Sequence, residues 1–169
     1  MSKYCPACAN KICPPIGQSA SLLIVGEFPG DLEMIKGHPF AVSHEYVTAG
    51  KIFRKELQNV GLSLMDFRVM NLWLHIPNDE ENCWQAGYNL VLEEAKGKKA
   101  ILLVGSDVVE TFTKYKVSDV SGLLVDSSVL SSPIIMAMVQ PALALHRAVG
   151  EVRFAIQQWK KVLEKEGLI

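Results

Sequence analysis

Four short apolar runs divide the chain into alternating segments. Their branched and long aliphatic side chains are typical of strands that lie buried on both faces of a parallel sheet. The runs are SLLIVG at residues 21–26, FRVMNLWL at 67–74, AILLVG at 100–105 and PIIMAMV at 133–139. The pattern predicts four central strands.

The segments between these runs have helical periodicity. Residues 47–60 place Ile52, Phe53 and Leu57 on one stripe and stop at Gly61, a suitable residue after a helix end. Similar patterns cover residues 83–95, 107–114 and 148–166. The alternation predicts an α/β fold, a three-layer α/β/α sandwich around a four-stranded, mainly parallel sheet, with a flexible or hairpin insertion at 119–132.

Composition narrows the class of protein. A chain of 169 residues with 49% hydrophobic content suits one domain spanning residues 1–169. Seventeen basic side chains against 18 acidic ones exclude a polybasic nucleic-acid arm, so phosphate contacts must be local. No apolar run reaches the roughly 20 residues of a membrane span, and no signal-peptide pattern opens the chain. We expect a soluble cytoplasmic protein.

Cysteine spacing is the first chemical signal. Cys5, Cys8 and Cys13 crowd the first residues, and Cys83 follows far downstream. Without a secretion signal, a C-x-x-C pair indicates metal or redox chemistry rather than disulfides. A redox pair normally opens a helix after a strand, whereas this pair is flanked by prolines and precedes the first strand. The N-terminal segment is therefore predicted to bind a metal or a cluster.

Polar residues follow the apolar runs. Ligands of open α/β sheets bind outside the carboxyl ends of the strands, so these positions are candidates for a site. Glu27 follows the first run, Asn71 lies within the second, Ser106 follows the third, and Gln140 follows the fourth. An asparagine inside an apolar strand is costly unless its amide finds partners, which favours a role in a site.

Two motifs carry a resemblance to a known family. Gly26-Glu27-Phe28-Pro29-Gly30 is followed by Gly37-His38-Pro39-Phe40, and an early C-x-x-C, Asn71 and a late proline motif fall in the same order. The sequence resembles the uracil-DNA glycosylase superfamily, most closely its iron–sulfur, family 4-like branches. The resemblance implies a four-stranded parallel sheet, in agreement with the pattern, and hydrolysis of the N-glycosidic bond of a flipped base.

The resemblance also implies roles for individual residues. Phe40 would stack on the flipped base, a contact worth roughly 1–3 kcal/mol. Asn71 would read the base edge, because one amide both donates and accepts hydrogen bonds. Glu27 would orient water or hold the base. Its chain neighbours Gly26 and Phe28 would form part of the pocket wall. A core phenylalanine and a turn-capping glutamate are the structural alternatives for Phe40 and Glu27.

The chain departs from the family at two pocket positions. Gln140-Pro141-Ala142 stands where relatives have His-Pro-Ser or His-Pro-Ala. Gln140 can donate a hydrogen bond to the leaving base but carries no positive charge. Phe28 occupies a slot that holds a small residue or an aspartate in relatives, and it implies a changed or narrowed pocket.

Two further groups of residues follow from the resemblance. Leu145 or Leu143 would wedge into DNA beside His146 and Arg147. For the metal, the third family ligand position is His75, so two ligand sets compete: Cys5, Cys8, Cys13 and Cys83, or Cys5, Cys8, His75 and Cys83. Either set could hold a [4Fe–4S] cluster or zinc.

These features predict a DNA glycosylase that binds a flipped uracil-type base in base excision repair. Single-stranded DNA would spare the cost of unpairing, which suits a nearly neutral protein. One alternative is an inactive relative that binds DNA, a base or a partner protein, as Gln140 and Phe28 suggest. Another is a glycosylase specific for a modified pyrimidine.

Overall fold

A four-stranded parallel sheet forms the centre of the molecule. The computed structural model describes residues 11–146 and 149–169. The strands are β1 (Leu22–Gly26), β2 (Arg68–Asn71), β3 (Ala100–Val104) and β4 (Ile134–Met138), in the order β2-β1-β3-β4. Every neighbouring pair is parallel, and each strand lies within one of the four apolar runs. The predicted sheet is confirmed.

Helices cover both faces of this sheet, which confirms the three-layer α/β/α prediction. They are α1 (Asp31–Lys36), α2 (Ala49–Asn59), α3 (Glu81–Ala95), α4 (Ser106–Phe112), α5 (Val117–Val120) and α6 (Val149–Lys165), with 3₁₀ turns at Leu64–Asp66 and Pro141–Leu145. The four predicted helices correspond to α2, α3, α4 and α6. Within the described ranges, no helix is long and apolar enough to cross a membrane.

Alternating side chains of the strands feed two separate cores. Leu22 and Ile24 of β1 pack on one face with residues of α2 and α6, including the buried Trp159. Leu23 and Val25 pack on the other face with residues of α3 and α4. Since every residue of β1 is buried, the strand reads as an uninterrupted apolar run in the sequence.

Short segments pair with both outer strands. Ile16 and Val69 of β2 exchange two backbone hydrogen bonds of 2.8 Å in an antiparallel bridge. At the other edge, Leu124 forms an antiparallel bridge with Met136 of β4. The predicted insertion at 119–132 therefore includes the end of α5 and a stretch that runs along the sheet edge.

Candidate functional site

The site begins where β1 and β2 end side by side. Gly26 and Asn71 are partners at the last register position of these two strands. A Cβ atom at Gly26 would lie only 2.4 Å from Asn71 Oδ1 and 3.2 Å from Phe40 Cζ. Glycine is needed here because any larger residue would collide with the amide. The sheet register thus brings the predicted base-reading residue against the predicted pocket wall.

Glu27, the next residue, has a carboxylate that three donors hold in place. Its side chain is buried, at 8% exposure. Oε1 accepts hydrogen bonds from the Ser106 hydroxyl at 3.2 Å and the Asp107 backbone N–H at 2.9 Å, and Oε2 accepts one from Gln140 Nε2 at 3.2 Å. The donors follow β3 and β4, so three strand ends converge on one carboxylate.

Gly105 makes room for that carboxylate. It has a φ of +104°, and a Cβ atom there would lie 2.3 Å from Glu27 Cδ. Both the backbone conformation and the lack of space exclude other residues. The glycine at the end of the third apolar run therefore has a specific task, which is to let β3 approach the acidic side chain.

Gln140 directs its amide toward Glu27. The sequence predicts a hydrogen bond from this residue to the leaving base. An amide nitrogen carries two hydrogens, so the bond to Glu27 Oε2 leaves one for another acceptor. Gln140 lines the same cleft as Asn71. Gln140 therefore contacts the acidic side chain and lines the cleft at the same time.

Asn71 carries the least satisfied polar group of the cleft. Its side chain is 2% exposed, and Nδ2 finds no hydrogen-bond partner in the described part of the chain. Leaving a buried donor unsatisfied costs about 1–3 kcal/mol. Since buried polar groups nearly always have partners, the orphan amide makes Asn71 a candidate for contact with a ligand.

Phe40 lies across the cleft in an unusual backbone conformation. Its φ is +51°, the only positive value for a non-glycine residue in the ranges that the structure describes. The ring is 5% exposed and packs on Phe53 with centroids 4.5 Å apart and planes at 42°. Phe40 thus belongs to the core, as one of the two alternatives predicts, and it also lines the cleft.

These side chains surround a cleft of about 250 Å³. Small-molecule sites typically measure roughly 300–1,000 Å³, so this cleft suits a small ligand. It is lined by Gly26, Glu27, Phe28, Gly30, Glu33, Phe40, Ala49, Gly50, Asn71, Gln140 and Ala142. Phe28 is 42% exposed, so its ring contributes to the wall while remaining partly in solvent. All six residues predicted for catalysis and base binding line this cleft.

Glu33 is a cleft residue that the sequence did not predict. Its Oε2 accepts a hydrogen bond from the Gly30 backbone N–H at 2.7 Å, and its Oε1 accepts one from the Phe40 backbone N–H. Burial raises the pKa of Glu33, although these two bonds and nearby His38 oppose the shift. The spacing of Gly30 and Glu33 resembles half of a capping box, a signal that could have placed this glutamate at the start of α1.

The predicted DNA-contacting segment follows β4. Residues Pro141–Leu145 form a 3₁₀ turn whose Pro141 is buried, while Leu143 and Leu145 are 48% and 44% exposed. His146 is exposed, and Arg147 lies outside the described residues. Because Ala142 lines the cleft, the two exposed leucines stand close to it in the chain.

Three of the predicted metal ligands lie in the described ranges: Cys13 before β1, His75 after β2 and Cys83 on α3. Cys5 and Cys8 lie outside the described residues. Cys13 is buried, its backbone N–H donates to Leu74 O at 2.6 Å, and burial raises the pKa of its thiol to about 12. Cys13 therefore lies beside Leu74, the residue that precedes His75, the competing candidate.

His75 and Cys83 are also placed by local contacts. His75 Nδ1 lies 2.6 Å from Ile76 O, while its buried Nε2 has no hydrogen-bond partner within the described ranges. Cys83 is buried near the start of α3, where its Sγ lies 3.8 Å from Glu80 Oε2. No three His, Cys, Asp or Glu residues of the described ranges form a metal-binding group. Each predicted ligand set has only two described members, so both sets remain predictions.

Comparison with known proteins gives one match. The family model described as "Uracil DNA glycosylase superfamily" matches residues 14–162, which include every described residue of the cleft. No curated protein matches the sequence.

Proposed function

Since the matched region covers most of its length, the chain belongs to the uracil-DNA glycosylase superfamily, and we propose that it excises a uracil-type base from DNA. The base would flip out of the strand, enter the cleft and leave after hydrolysis of its N-glycosidic bond. Flipping is required because the glycosidic carbon is inaccessible within a stacked duplex.

The orphan amide of Asn71 carries this proposal. Its buried Nδ2 needs an acceptor that the described residues do not supply. A uracil-type base offers carbonyl acceptors and an N–H donor along one edge, which matches the two ends of an amide. Phe40 offers an apolar surface for the face of the same ring. A small planar heterocycle with an imide edge is therefore the ligand class that we propose.

Glu27 is the chemical group that we propose for the hydrolytic step. The oxygen of a water molecule bonds to the sugar carbon, the carbon–nitrogen bond breaks, and its electron pair leaves with the base. The proton that the water loses ends on the base nitrogen, so the products are a neutral base and an abasic sugar. Positive charge develops on the sugar, where a fixed carboxylate stabilises it or orients the water. Glu27 suits this task because Ser106, Asp107 and Gln140 fix its orientation before the substrate arrives.

Gln140 sets the strength of catalysis in this proposal. Its remaining amide hydrogen would donate to the developing anion on the base. A neutral donor stabilises that charge less than an imidazolium would, since charge-assisted hydrogen bonds are roughly twice as strong. We therefore propose a slower enzyme than relatives with histidine at this position.

We further propose that the chain belongs to the iron–sulfur branch and holds a [4Fe–4S] cluster, with zinc as the alternative. Cys5, Cys8 and Cys83 would bind it together with Cys13 or His75. The buried, unpartnered Nε2 of His75 fits a ligand role. The group would hold the N-terminal segment against β2 and stabilise the fold, without entering the hydrolytic step.

For DNA binding we propose the segment after β4. Leu145 or Leu143 would fill the gap that the flipped base leaves, and His146 and Arg147 would contact phosphates nearby. Single-stranded DNA requires no unpairing and is the substrate form we favour for this nearly neutral protein. The protein would act as one domain in the cytoplasm.

A non-catalytic base-binding module is the second candidate. The bond between Gln140 and Glu27 favours it, since it engages one of the two hydrogens of the Gln140 amide nitrogen. The phenyl ring of Phe28 favours it as well, or favours a modified pyrimidine, because it changes the cleft wall without adding an acid or a base.

The experiment that tests these proposals uses uracil-containing oligonucleotides. The protein is incubated with single-stranded and double-stranded forms, and alkali then cleaves the abasic sites. We expect cleavage at uracil, fastest on the single strand. A folded protein that binds the oligonucleotides without producing abasic sites would instead support the binding module.

Two variants sharpen this test. Asn71→Leu should abolish cleavage, whereas Asn89→Leu, at an exposed position of α3, should leave the rate unchanged. Gln140→His should raise the rate by about tenfold through a charge-assisted donor. A lower rate in Gln140→His would mean that glutamine supports a chemistry of its own.

A further inference from the structure

The backbone of Phe40 requires an explanation beyond its ring. A left-handed φ is uncommon for a bulky residue and persists only when the surroundings impose it. In this conformation the chain turns sharply between Pro39 and Ala41. The direction of the Phe40 ring therefore depends on the side chains that bind the backbone N–H and C=O of Phe40.

Two charged side chains make those contacts from opposite sides. Glu33 Oε1 accepts the Phe40 N–H, and Arg54 Nε donates to Phe40 O at 2.8 Å. The second oxygen of Glu33 accepts the Gly30 N–H at 2.7 Å. The carboxylate therefore links the turn that follows Glu27 to the residue that bears the aromatic ring.

The first turn of α2 closes the remaining side. A Cβ atom at Gly50 would lie 2.4 Å from Ala41 O and 2.5 Å from Phe40 C and O. The Phe40 peptide is consequently enclosed by Glu33, Arg54 and the backbone of α2. Nothing in the hydrolytic step uses Glu33, although it lines the cleft beside Glu27.

We infer that Glu33 is a positioning residue, which holds Phe40 in its left-handed conformation and so sets the angle at which the ring meets the base. The inference rests on the proposed function for its effect on substrate, and on geometry alone for its effect on Phe40. Glu33 need not touch the base, because it acts through the Phe40 peptide.

Amide hydrogen exchange tests the geometric half. In Glu33→Gln the amide keeps the shape of the side chain but offers only one oxygen to two N–H donors. We expect the Phe40 N–H or the Gly30 N–H to exchange faster than in the wild type, while the strands keep their protection. Asp31→Asn, on the same helix, is the matched control. Unchanged exchange at both amides would overturn the inference.

A double-mutant cycle tests the functional half on a single-stranded uracil oligonucleotide. Glu33→Gln should weaken binding or cleavage by up to the roughly 5- to 150-fold that one stacked base is worth. In a Phe40→Ala background the same change should have almost no effect, since the ring that Glu33 positions is gone. Additive effects of the two substitutions would overturn the inference.

Arg54→Met serves as a second variant if Glu33→Gln does not fold. It removes the donor to Phe40 O, and its effect should likewise disappear in the Phe40→Ala background. If the wild type neither binds nor cleaves the oligonucleotide while the amides still lose protection, the proposed function fails and the geometric role of Glu33 stands. If the wild type cleaves the oligonucleotide and Glu33→Gln loses cleavage with unchanged amide exchange, the proposed function stands and the geometric role of Glu33 fails.

Discussion

The cleft and the cysteine region differ in how their residues are brought together. In the cleft, Glu27 and Gln140 lie 113 positions apart in the chain and meet because β1, β3 and β4 end at the same edge of the sheet. In the cysteine region, Cys13 lies beside Leu74 because one segment pairs with β2 and with the residues that follow it. Sheet topology defines the first region, whereas a local segment defines the second.

Each region also contains a buried polar group that lacks a hydrogen-bond partner among the described residues, but the surroundings of the two groups differ. Each has one buried nitrogen without a hydrogen-bond partner in the described part of the molecule, Asn71 Nδ2 in the cleft and His75 Nε2 near the cysteines. Around Asn71 the neighbours are a fixed carboxylate and an aromatic ring, which suit an organic ligand. His75 packs near the ring of Trp73 and is one of the proposed metal ligands. We propose a different ligand for each nitrogen, a base at Asn71 and a metal at His75.

The largest expected effect is a loss of metal content that follows substitution in the cysteine region and not in the cleft. Cys83→Ala should abolish binding of the metal that we propose, because this cysteine belongs to both proposed ligand sets. Of Cys13→Ser and His75→Ala, only one should do the same. Iron and zinc content per chain is the measurement, and Asn71→Leu is the control that should keep full metal content. Full occupancy in Cys83→Ala would show that both ligand sets are wrong.

Glu27→Gln should lower the cleavage rate by about 100- to 1,000-fold, since a neutral amide stabilises developing positive charge poorly. Metal content should not change. The rate is measured under single-turnover conditions, with Glu45→Gln as an exposed control. A rate within a few-fold of the wild type would remove Glu27 from the proposed chemistry.

Phe28→Ala should widen the cleft and change its selectivity. We expect at least a tenfold gain for a pyrimidine with a bulky 5-substituent relative to uracil, in line with the value of a few carbon atoms in an apolar pocket. Phe154→Ala removes a ring of similar exposure from α6 and should leave selectivity unchanged. Equal selectivity in both variants would mean that the Phe28 ring does not limit the pocket.

The smallest expected effect concerns the helix that closes the cleft. On α2, buried Glu56 accepts hydrogen bonds from Arg153 of α6 at 3.1 and 3.2 Å, and the first cause of its lowered pKa is this contact. Because the fold holds the pKa of Glu56 below its ordinary value of 4.5, the ionised carboxylate stabilises the fold at any pH above 4.5. This contribution is lost as the pH falls from 4.5 through the lowered pKa.

Glu56→Gln should therefore lower the melting temperature by a few degrees at neutral pH and by less under acid conditions. Metal content and cleavage rate should stay close to the wild-type values. Thermal unfolding across the pH range is the measurement, and Glu45→Gln again provides the control. A constant difference at all pH values would show that the pair does not stabilise the fold through charge.

Strands were easier to predict than site geometry. All four strands lie within apolar runs, because burial on both faces leaves few positions for polar residues. Asn71 stood out for the same reason, as an exception inside such a run. The short α1 was missed because six residues without a buried side chain show no hydrophobic periodicity.

Contacts between distant residues were beyond the sequence. Gln140 appeared as a donor to the base, but its bond to Glu27 depends on how β1 and β4 are arranged around β3. The role of Glu33 depends on the left-handed φ of Phe40. A phenylalanine in the sequence gives no sign of that conformation. A motif identifies which residues form a pocket, whereas their mutual hydrogen bonds require the fold.

The pairing of Ile16 with β2 and of Leu124 with β4 has a consequence for the behaviour of the protein in solution. An open sheet exposes backbone N–H and C=O groups at its two outer strands, where a strand of another molecule can add. Each of these segments covers part of one such edge. Loosening either one would create a template for intermolecular strand addition, so aggregation should accompany any change that detaches residues near Ile16 from the sheet.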